Sequence, residues 1–434
     1  MSSSSGYIPW PEPADEPAAP SKASAAPEDA HFLAHHARDP HLLLHKALYF
    51  SSCAAIAAYI PYLVQWMRGV GLTPLEAGGV FAAAQGVSIF AAPLLARLAD
   101  ASAAWRRGVL VAALLAQMAA LQAMARCTSF AAITACYIVA EAAIIAIFPI
   151  LDASIQRLLI AVHGDANRYG NTRAWGAAGW GVFGWVFGAL YDAQGGHARM
   201  FDFFALAALP CLPLALALPL ERRSASAASD RAAWSALLRW DVAAFALVLM
   251  ACSLLLTALD LFRFSYLETL GASNELMGLS LLAASLSETP FFFLTHAILE
   301  RVSVGRAMVV VALGYAARFL WYMALTDARL TVPAELLHGV TFALGWAAAT
   351  KYIGELLPPE LASTGQGLMT SVIWGMGGMA GSLFGGGMVA NFGWRAMWLA
   401  GALVGLAAAG VMMLSLFLRK AGGGGAAGAA AVAG

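Results

Sequence analysis

The sequence predicts an all-α polytopic membrane protein whose twelve transmembrane helices form two six-helix pseudo-repeats. Three observations predict this fold: an apolar composition, twelve apolar runs of membrane-crossing length, and a match between the two halves of the chain. Of the 434 residues, 61% are hydrophobic and 12% are charged, with a mean hydropathy of +0.72. Soluble domains have about 45–50% apolar and about 25% charged residues. Because a soluble fold of this length cannot bury so much apolar surface, lipid must serve as its solvent.

Charge and cysteine content exclude several classes of function. Basic and acidic residues number 25 each, so no excess of positive charge indicates nucleic-acid binding. The five cysteines form no CxxC pair, so neither a disulfide framework nor a zinc site is expected. No nucleophile and base stand at catalytic spacing. The sequence therefore predicts a protein that is not an enzyme and needs no cofactor or metal.

The apolar runs are each about 18–26 residues long, which fits a hydrocarbon core of about 30 Å. None alternates like a barrel strand, and a helix satisfies its backbone groups within one segment. We expect a disordered and amphipathic N-terminal tail (1–44), a six-helix bundle (45–219), a linker (220–240), a second bundle (241–418) and a disordered Gly/Ala tail (419–434). The runs cover 47–67, 75–96, 108–125, 130–153, 172–190, 201–219, 241–262, 274–298, 306–325, 331–350, 365–390 and 394–418.

The distribution of basic residues between the loops predicts the orientation of the chain. If the N-terminus is cytoplasmic, eighteen of the 25 Lys and Arg residues lie in inside segments and five lie in outside loops. Cytoplasmic loops carry such an excess of basic residues. We therefore expect both termini and the central linker in the cytoplasm. The plasma membrane is the default location, and an organelle membrane stays open.

The two halves match at a constant offset of 199 residues. The matching glycines fall in the fifth run and the eleventh run, which hold the same place in each half. Small residues at such positions let helices approach closely. Two parallel repeats around a central site are typical of one large class of transporters. The matching pairs are Trp175-Gly176 with Trp374-Gly375, Gly179 with Gly378, Gly188 with Gly387, Asp192 with Asn391, and Arg107 with Arg306.

Ionisable residues inside the apolar runs are costly in a membrane, so we expect them to face a cavity or a partner. Glu141 and Asp152 lie in the fourth run, and Arg173 opens the fifth run at a depth similar to that of Asp152. Asp152 and Arg173 are therefore a plausible ion pair. Lys351 lies 199 residues after Asp152, so the repeat places opposite charges at equivalent sites. Asp152 and Lys351 are therefore candidates for a cytoplasmic gate between the two halves.

Further candidates lie in the second half. Glu288 and Arg318 are expected at one depth on adjacent helices, and Glu335 and His338 share one face of the tenth helix. Each set is open to two interpretations: fixed ion pairs that serve packing, or groups that carry protons and contact a solute. Histidine titrates near physiological pH. Other candidates are Asp260 and Arg263 in the seventh run, the side chains Tyr49, Tyr59, Tyr62 and Gln65 in the first run, and Phe342 and Trp346 in the tenth.

Several segments resemble the major facilitator superfamily. The loop Ala96-Arg97-Leu98-Ala99-Asp100 with Arg106-Arg107 resembles its cytoplasmic loop motif, with Ala96 where Gly is usual and without the Arg that normally follows the Asp. The runs Ser285–Phe293 and Pro333–Phe342, together with Gly365-Gln366-Gly367, Asp152 and Arg173–Gly176, are similar to the MFS-associated branch. That branch contains the major facilitator superfamily domain-containing protein six type and is related to bacterial proton symporters of aromatic acids, nucleosides and sugars. The resemblance covers about 45–418.

The resemblance implies a function. It implies a monomeric secondary active transporter that moves a small organic solute by alternating access, with proton-coupled symport. It also implies that helices 1, 4, 7 and 10 line the cavity, and that Asp100 belongs to a gating loop. Two alternatives stay open: a receptor or partner-binding protein on a transporter fold, and an uncoupled facilitator. The residues permit a zwitterion, a sugar, a nucleoside or an aromatic acid as the solute.

Overall fold

The computed structural model describes residues 40–100, 103–163, 169–218, 240–356 and 368–432, and these residues fold into helices joined by short turns. The predicted N-terminal tail up to residue 39 and most of the predicted linker lie outside the described residues. Each of the twelve predicted runs corresponds to a helical segment. We number these segments α1–α12 in chain order.

The first six helices run between short turns. They are α1 (Pro40–Ala57, a 3-10 turn Ile60–Tyr62 and Leu63–Gly69), α2 (Pro74–Asp100), α3 (Ala103–Met124), α4 (Phe130–His163), α5 (Tyr169–Gln194) and α6 (Met200–Ala208 and Cys211–Ala217).

The second six helices include two π-helical segments. They are α7 (Trp240–Thr269), α8 (Asn274–Arg301), α9 (Val304–Ala324), α10 (Thr331–Glu335, the π segment Gly339–Leu344 and Gly345–Leu356), α11 (368–392, with the π segment Ser371–Gly377) and α12 (394–432).

Eight helical segments among the described residues are long and apolar enough to cross a membrane. One of them, Leu368–Leu418, has 51 residues, which corresponds to roughly 75 Å of helix and to more than two crossings of the hydrocarbon core. It is broken at Gly393, whose φ of 81° is left-handed and suits a residue without Cβ. The predicted count of twelve fits this arrangement. The last helix continues to Val432, where a flexible tail is predicted; residues 421–432 are six alanines, five glycines and one valine.

The two halves pack against each other along α5 with α8 and along α2 with α11. Glycines allow both contacts. A Cβ on Gly278 would lie 2.4 Å from the carbonyl oxygen of Gly184, and a Cβ on Gly78 would lie 2.4 Å from that of Ser382. Of the glycines matched by the repeat, Gly179 and Gly188 lie against the backbone carbonyls of Phe50 and Asn274, whereas Gly387 has no atom within 4 Å of its Cβ position. We call the end of the bundle that contains the turns 70–73, 125–129, 195–199, 270–273 and 325–330 the distal end, and the opposite end the proximal end.

Candidate functional site

A buried ion network lies between α7, α9 and α10. Glu335 Oε2 is 2.5 Å from Arg263 Nη1 and 2.7 Å from Arg318 Nη2. The exposed fraction of these side chains is 0% for Glu335, 3% for Arg263 and 0% for Arg318. Asp260 Oδ1 lies 3.7 Å from Arg263 Nη1, as the three-residue spacing predicts. One carboxylate thus joins three helices through two guanidinium groups.

Hydroxyl groups complete this network. Tyr322 donates to Glu335 Oε1 at 2.6 Å and lies 2.7 Å from Thr331 Oγ1. Arg318 Nη1 donates to Thr341 Oγ1 at 3.0 Å. The Tyr322 ring stacks on Trp398 of α12 at a centroid distance of 4.9 Å, which fixes the position of its hydroxyl. Both carboxylate oxygens of Glu335 therefore accept bonds from strong donors.

The helical path of α10 is irregular where it carries this site. After Glu335 the backbone makes tight turns, with Leu337 N donating to Ala334 O at 3.2 Å, before the π segment Gly339–Leu344 begins. Ser287 of α8 stabilises the irregular turn, because its hydroxyl donates to Leu336 O and accepts from Gly339 N. Segments of π-helix occur frequently at functional sites.

His338 connects the ion network to Glu288 of α8. Its Nδ1 lies 3.4 Å from Arg318 Nη1, and its Nε2 lies 3.8 Å from Glu288 Oε2. A guanidinium nitrogen can only donate, so Nδ1 must accept and the ring hydrogen lies on Nε2, toward Glu288. Both side chains are 13% exposed. The imidazole is the closest ionisable partner of Glu288 among the described residues.

Glu288 and His338 begin a line of side chains that aromatic residues continue along one face of α10, at intervals of four residues. The His338 ring stacks on Phe342 at 5.2 Å, and Phe342 lies 6.1 Å from Trp346, which lies 6.5 Å from Trp374 of α11. The guanidinium of Arg173 in α5 lies 5.3 Å from the centroid of the Trp346 ring. This cation–π contact links the second half of the chain to the first.

The first half contributes a smaller charged group. Arg173 Nη1 lies 3.8 Å from Asp152 Oδ1, so the predicted pair is confirmed. Tyr169 bridges the two, because its hydroxyl donates to Asp152 at 2.6 Å and accepts from Arg173 at 3.5 Å. Tyr49 OH lies 3.4 Å from Tyr169 OH. Asp152 and Arg173 are 27% and 22% exposed, respectively.

The expected pairing of Glu288 with Arg318 is not formed in the part of the chain that the structure describes. Arg318 contacts Glu335 and Thr341, whereas Glu288 faces His338. Equal depth on adjacent helices does not fix the direction in which a side chain points. This difference changes the interpretation of Glu288, which has no guanidinium at ion-pair distance among the described residues, although the charge of Arg173 acts on it from farther away.

Other predicted residues lie away from this line. Lys351 donates to Leu299 O at 2.7 Å and does not contact Asp152 among the described contacts. Glu141 hydrogen-bonds to Tyr137 in its own helix. Asp100 ends α2, but its side chain lies outside the described residues. Of the α1 candidates other than Tyr49, Tyr59 accepts from Gln117 at 3.2 Å, Gln65 donates to Met277 Sδ at 3.6 Å, and Tyr62 donates to Gly184 O at 3.0 Å.

The prediction from sequence missed a set of polar contacts at the distal end. Asp192 of α5 accepts hydrogen bonds from the start of α8, and Arg68 of α1 pairs with Glu268 of α7. His197, in the turn after α5, contacts Asn274. The repeat highlighted Asp192, but only as a match to Asn391. These contacts join turns that are distant in sequence, and no spacing rule reveals them.

The fold and the buried charges define an integral, multi-pass membrane protein with an ion network enclosed by its helices. The chain belongs to the MFS_1 like family, whose sequence model matches residues 42–400. This agrees with the resemblance to the major facilitator superfamily.

Relatives and solved structures support this assignment. The chain is 31% identical to the maltose permease of Geobacillus stearothermophilus over 245 residues, which cover 56% of this chain and 60% of the permease. It is 24% identical to the major facilitator superfamily domain-containing protein 6-like protein B of Xenopus laevis over 131 residues, covering 30% of this chain and 21% of that protein. The matches thus span less than two thirds of these relatives. Among solved structures, the nucleoside transporter NupG matches with a TM-score of 0.74 and 18% identity, covering 87% of this chain and 99% of that one.

A more distant structure shares the same fold. A POT family transporter in complex with a thioalcohol-conjugated peptide matches with a TM-score of 0.65 and 10% identity, covering 87% of this chain and 96% of that chain. Identities this low demonstrate similarity of fold alone.

Proposed function

We propose that this protein is a secondary transporter that moves a small organic solute across a membrane by alternating access of its two halves. The observation that carries the proposal is the continuous line of polar and aromatic side chains from Glu288 and His338 along α10 to Arg173. This line joins helices of both halves. Glycine-lined contacts between α5 and α8 support the proposal, because small residues let a helix of one half lie directly against a helix of the other.

We further propose that transport is coupled to protons through Glu288 and His338. Glu335 is a less suitable proton carrier because Arg263, Arg318 and Tyr322 occupy its carboxylate oxygens. Glu288 instead faces an imidazole Nε2 at 3.8 Å and is partly exposed, so a proton can reach and leave it without breaking an arginine pair. In this scheme Glu335 stays ionised and holds α7, α9 and α10 together, while His338 connects its network to the exchanging carboxyl.

The solute that this line suits best is a small molecule with a ring and several hydrogen-bonding groups. Phe342 and Trp346 offer ring faces, and Arg173 and Asp152 offer a donor and an acceptor close by. Sugars and nucleosides have both features. The names of the maltose permease and the nucleoside transporter make these two classes the first to test. The proposal also includes two expectations from the sequence: the protein is a monomer, and both of its termini lie in the cytoplasm.

Flux into proteoliposomes tests the proposal against both alternatives. The purified protein is reconstituted, and uptake of radiolabelled maltose and of a panel of nucleosides is measured with and without an inward proton gradient. Accumulation above equilibrium that depends on the gradient is the expected result. Equilibration without accumulation indicates an uncoupled facilitator. Saturable binding of a solute without any flux indicates a receptor and contradicts the proposal.

A further inference from the structure

The turns that lead into α2 and α8 are equivalent in the two repeats. Gly71 and Gly271 lie 200 residues apart, and both have a left-handed φ, of 100° and 75°. Arg68 and Glu268 have the same offset and pair across the two halves, with Arg68 Nη1 3.1 Å from Glu268 Oε2. Because the two turns share this geometry, the starts of α2 and α8 can be compared residue by residue.

The start of α2 is capped by residues of its own turn. Glu76 accepts hydrogen bonds from the N–H and the hydroxyl of Thr73, both at 2.8 Å, and Thr73 Oγ1 accepts from Glu76 N at 3.2 Å. This reciprocal arrangement is a capping box. The first residue of the helix is Pro74, which has no N–H group that needs an acceptor. The first half of the chain therefore supplies the cap of α2 itself.

The start of α8 differs at two positions that matter for capping. It has Asn274 and Leu276 where α2 has Pro74 and Glu76. Ser273 accepts a hydrogen bond from Leu276 N at 3.1 Å, but a leucine side chain cannot complete a capping box. Asn274 also adds an N–H group that proline lacks. The first two N–H groups of α8 therefore need an acceptor from outside the turn.

Asp192 at the end of α5 is that acceptor. Its Oδ1 accepts from Asn274 N at 3.0 Å and from the Asn274 amide nitrogen at 2.8 Å, and its Oδ2 accepts from Glu275 N at 2.8 Å. A carboxylate is favourable beside a helix N-terminus, where the N–H groups carry partial positive charge. His197, in the turn after α5, adds a contact of 2.9 Å to Asn274 Oδ1. The first half of the chain thus caps a helix of the second half.

Among the described residues, the repeat-related contact between α11 and α2 lacks such a cap. The match of Asp192 is Asn391, whose amide nitrogen donates to Gly387 O of its own helix at 2.8 Å. The contact is made through backbone atoms, because a Cβ on Gly386 would lie 2.6 Å from Pro74 O. The distal end is therefore closed by backbone packing between α2 and α11, and by packing together with a charged cap between α5 and α8.

We propose that Asp192 is a gate residue that holds the distal end closed, and that this gate is asymmetric. Opening the distal end requires α8 to lose the acceptor of its first two N–H groups, whereas α2 keeps its capping box when it separates from α11. The inference rests on the alternating access proposed above. It concerns a contact that is separate from the Glu288–His338 site, because Glu288 lies 14 residues along α8 from Asn274, or roughly 21 Å.

The size of the effect follows from the exposure of the contact. Asp192 is exposed, so water can replace its hydrogen bonds when the two halves separate. Replacement of a helix-capping side chain by alanine typically costs about 1 kcal/mol, which corresponds to about a fivefold change in an equilibrium constant. We therefore expect Asp192→Ala to raise the ratio of distally open to distally closed protein about fivefold.

The rate of cysteine alkylation reports this ratio. Met277 of α8 is 1% exposed and accepts a hydrogen bond from Gln65 of α1, so it lies between the two halves near the distal end. The five natural cysteines are replaced by serine or alanine, and Met277→Cys supplies the single reactive thiol. The protein in lipid nanodiscs is treated with a bulky, water-soluble maleimide. While the open arrangement is the minority, the rate of labelling is proportional to its population.

Asp192→Ala and Asn391→Ala form a matched pair, because the two residues hold the same place in the repeats. We expect labelling at position 277 to be about fivefold faster in Asp192→Ala and unchanged in Asn391→Ala. Asp192→Asn keeps the test open if the alanine variant does not fold. Asparagine loses the charge and one of the two acceptor oxygens, so faster labelling is expected in this variant too.

Two results would overturn the inference. One is a labelling rate in the folded Asp192 variants that equals the rate in the parent protein. The other is an equal increase in Asn391→Ala, which would mean that the cap does not distinguish the two contacts. The assay contains no solute, so an absence of flux would refute the transport proposal without deciding the role of Asp192.

Discussion

The sharpest consequence for stability concerns the substitution Glu335→Gln. Glutamine has nearly the shape of glutamate and still accepts a hydrogen bond from Tyr322, but it carries no charge. The change leaves Arg263 and Arg318, which are 3% and 0% exposed, without their shared counter-ion. Removing one partner of a buried ion pair costs about 3–5 kcal/mol, because the remaining charge stays buried and uncompensated. We expect a loss in this range for Glu335→Gln.

The assay is unfolding of the purified protein in mixed micelles with increasing SDS, followed by tryptophan fluorescence. Glu268→Gln is the matched control, since it removes the counter-ion of Arg68 in a pair whose side chains are 37% and 51% exposed. An exposed pair contributes about 0–1 kcal/mol. If Glu335→Gln costs no more than this control, Glu335 is not a fixed counter-ion. The assignment of proton exchange to Glu288 would then lose its basis.

Two further substitutions test the packing around the site. Tyr322→Phe keeps the ring on Trp398 but removes the hydroxyl bonded to Glu335 and Thr331, so we expect a loss of about 1.5–3 kcal/mol in the same unfolding assay; an unchanged midpoint would contradict this. Gly188→Ala places a Cβ 2.3 Å from Asn274 O and should cost about 1–3 kcal/mol by overpacking. Gly387 is the matching residue in the other repeat, and the Cβ added by Gly387→Ala would have no atom within 4 Å. Equal effects of the two substitutions on stability would contradict the assigned contact of α5 with α8.

The helical segments and some local charge pairs can be predicted from the sequence because they depend on neighbouring residues. The apolar runs correspond to helices, since membrane-crossing length is a local property. Asp260 with Arg263 follows from a spacing of three residues. Similar depth on consecutive helices suggested both Asp152 with Arg173 and Glu288 with Arg318, and only the first pair forms among the described residues.

The ion network could not be predicted in the same way. It joins three helices, and the direction of each side chain depends on the rotation of its helix about its axis. Depth alone suggested Glu288 as the neighbour of Arg318, whereas the irregular turn before the π segment of α10 directs Glu335 toward Arg318 and His338 toward Glu288. No pattern of residues in the apolar runs predicts the π segment. The contact of Asp192 with the start of α8 depends on a helix N-terminus meeting a carboxylate from the other half, which requires knowledge of the packing.

The central claim, that Glu288 exchanges the coupling proton, is tested most directly by comparing two modes of flux in Glu288→Gln. Proteoliposomes that contain this variant are assayed with the solute identified by the uptake panel, first for accumulation driven by a proton gradient and then for exchange at equal pH. We expect accumulation to be lost and exchange to be retained, because exchange requires movement of the loaded carrier but no net release of a proton. Accumulation equal to that of the parent protein would contradict the account.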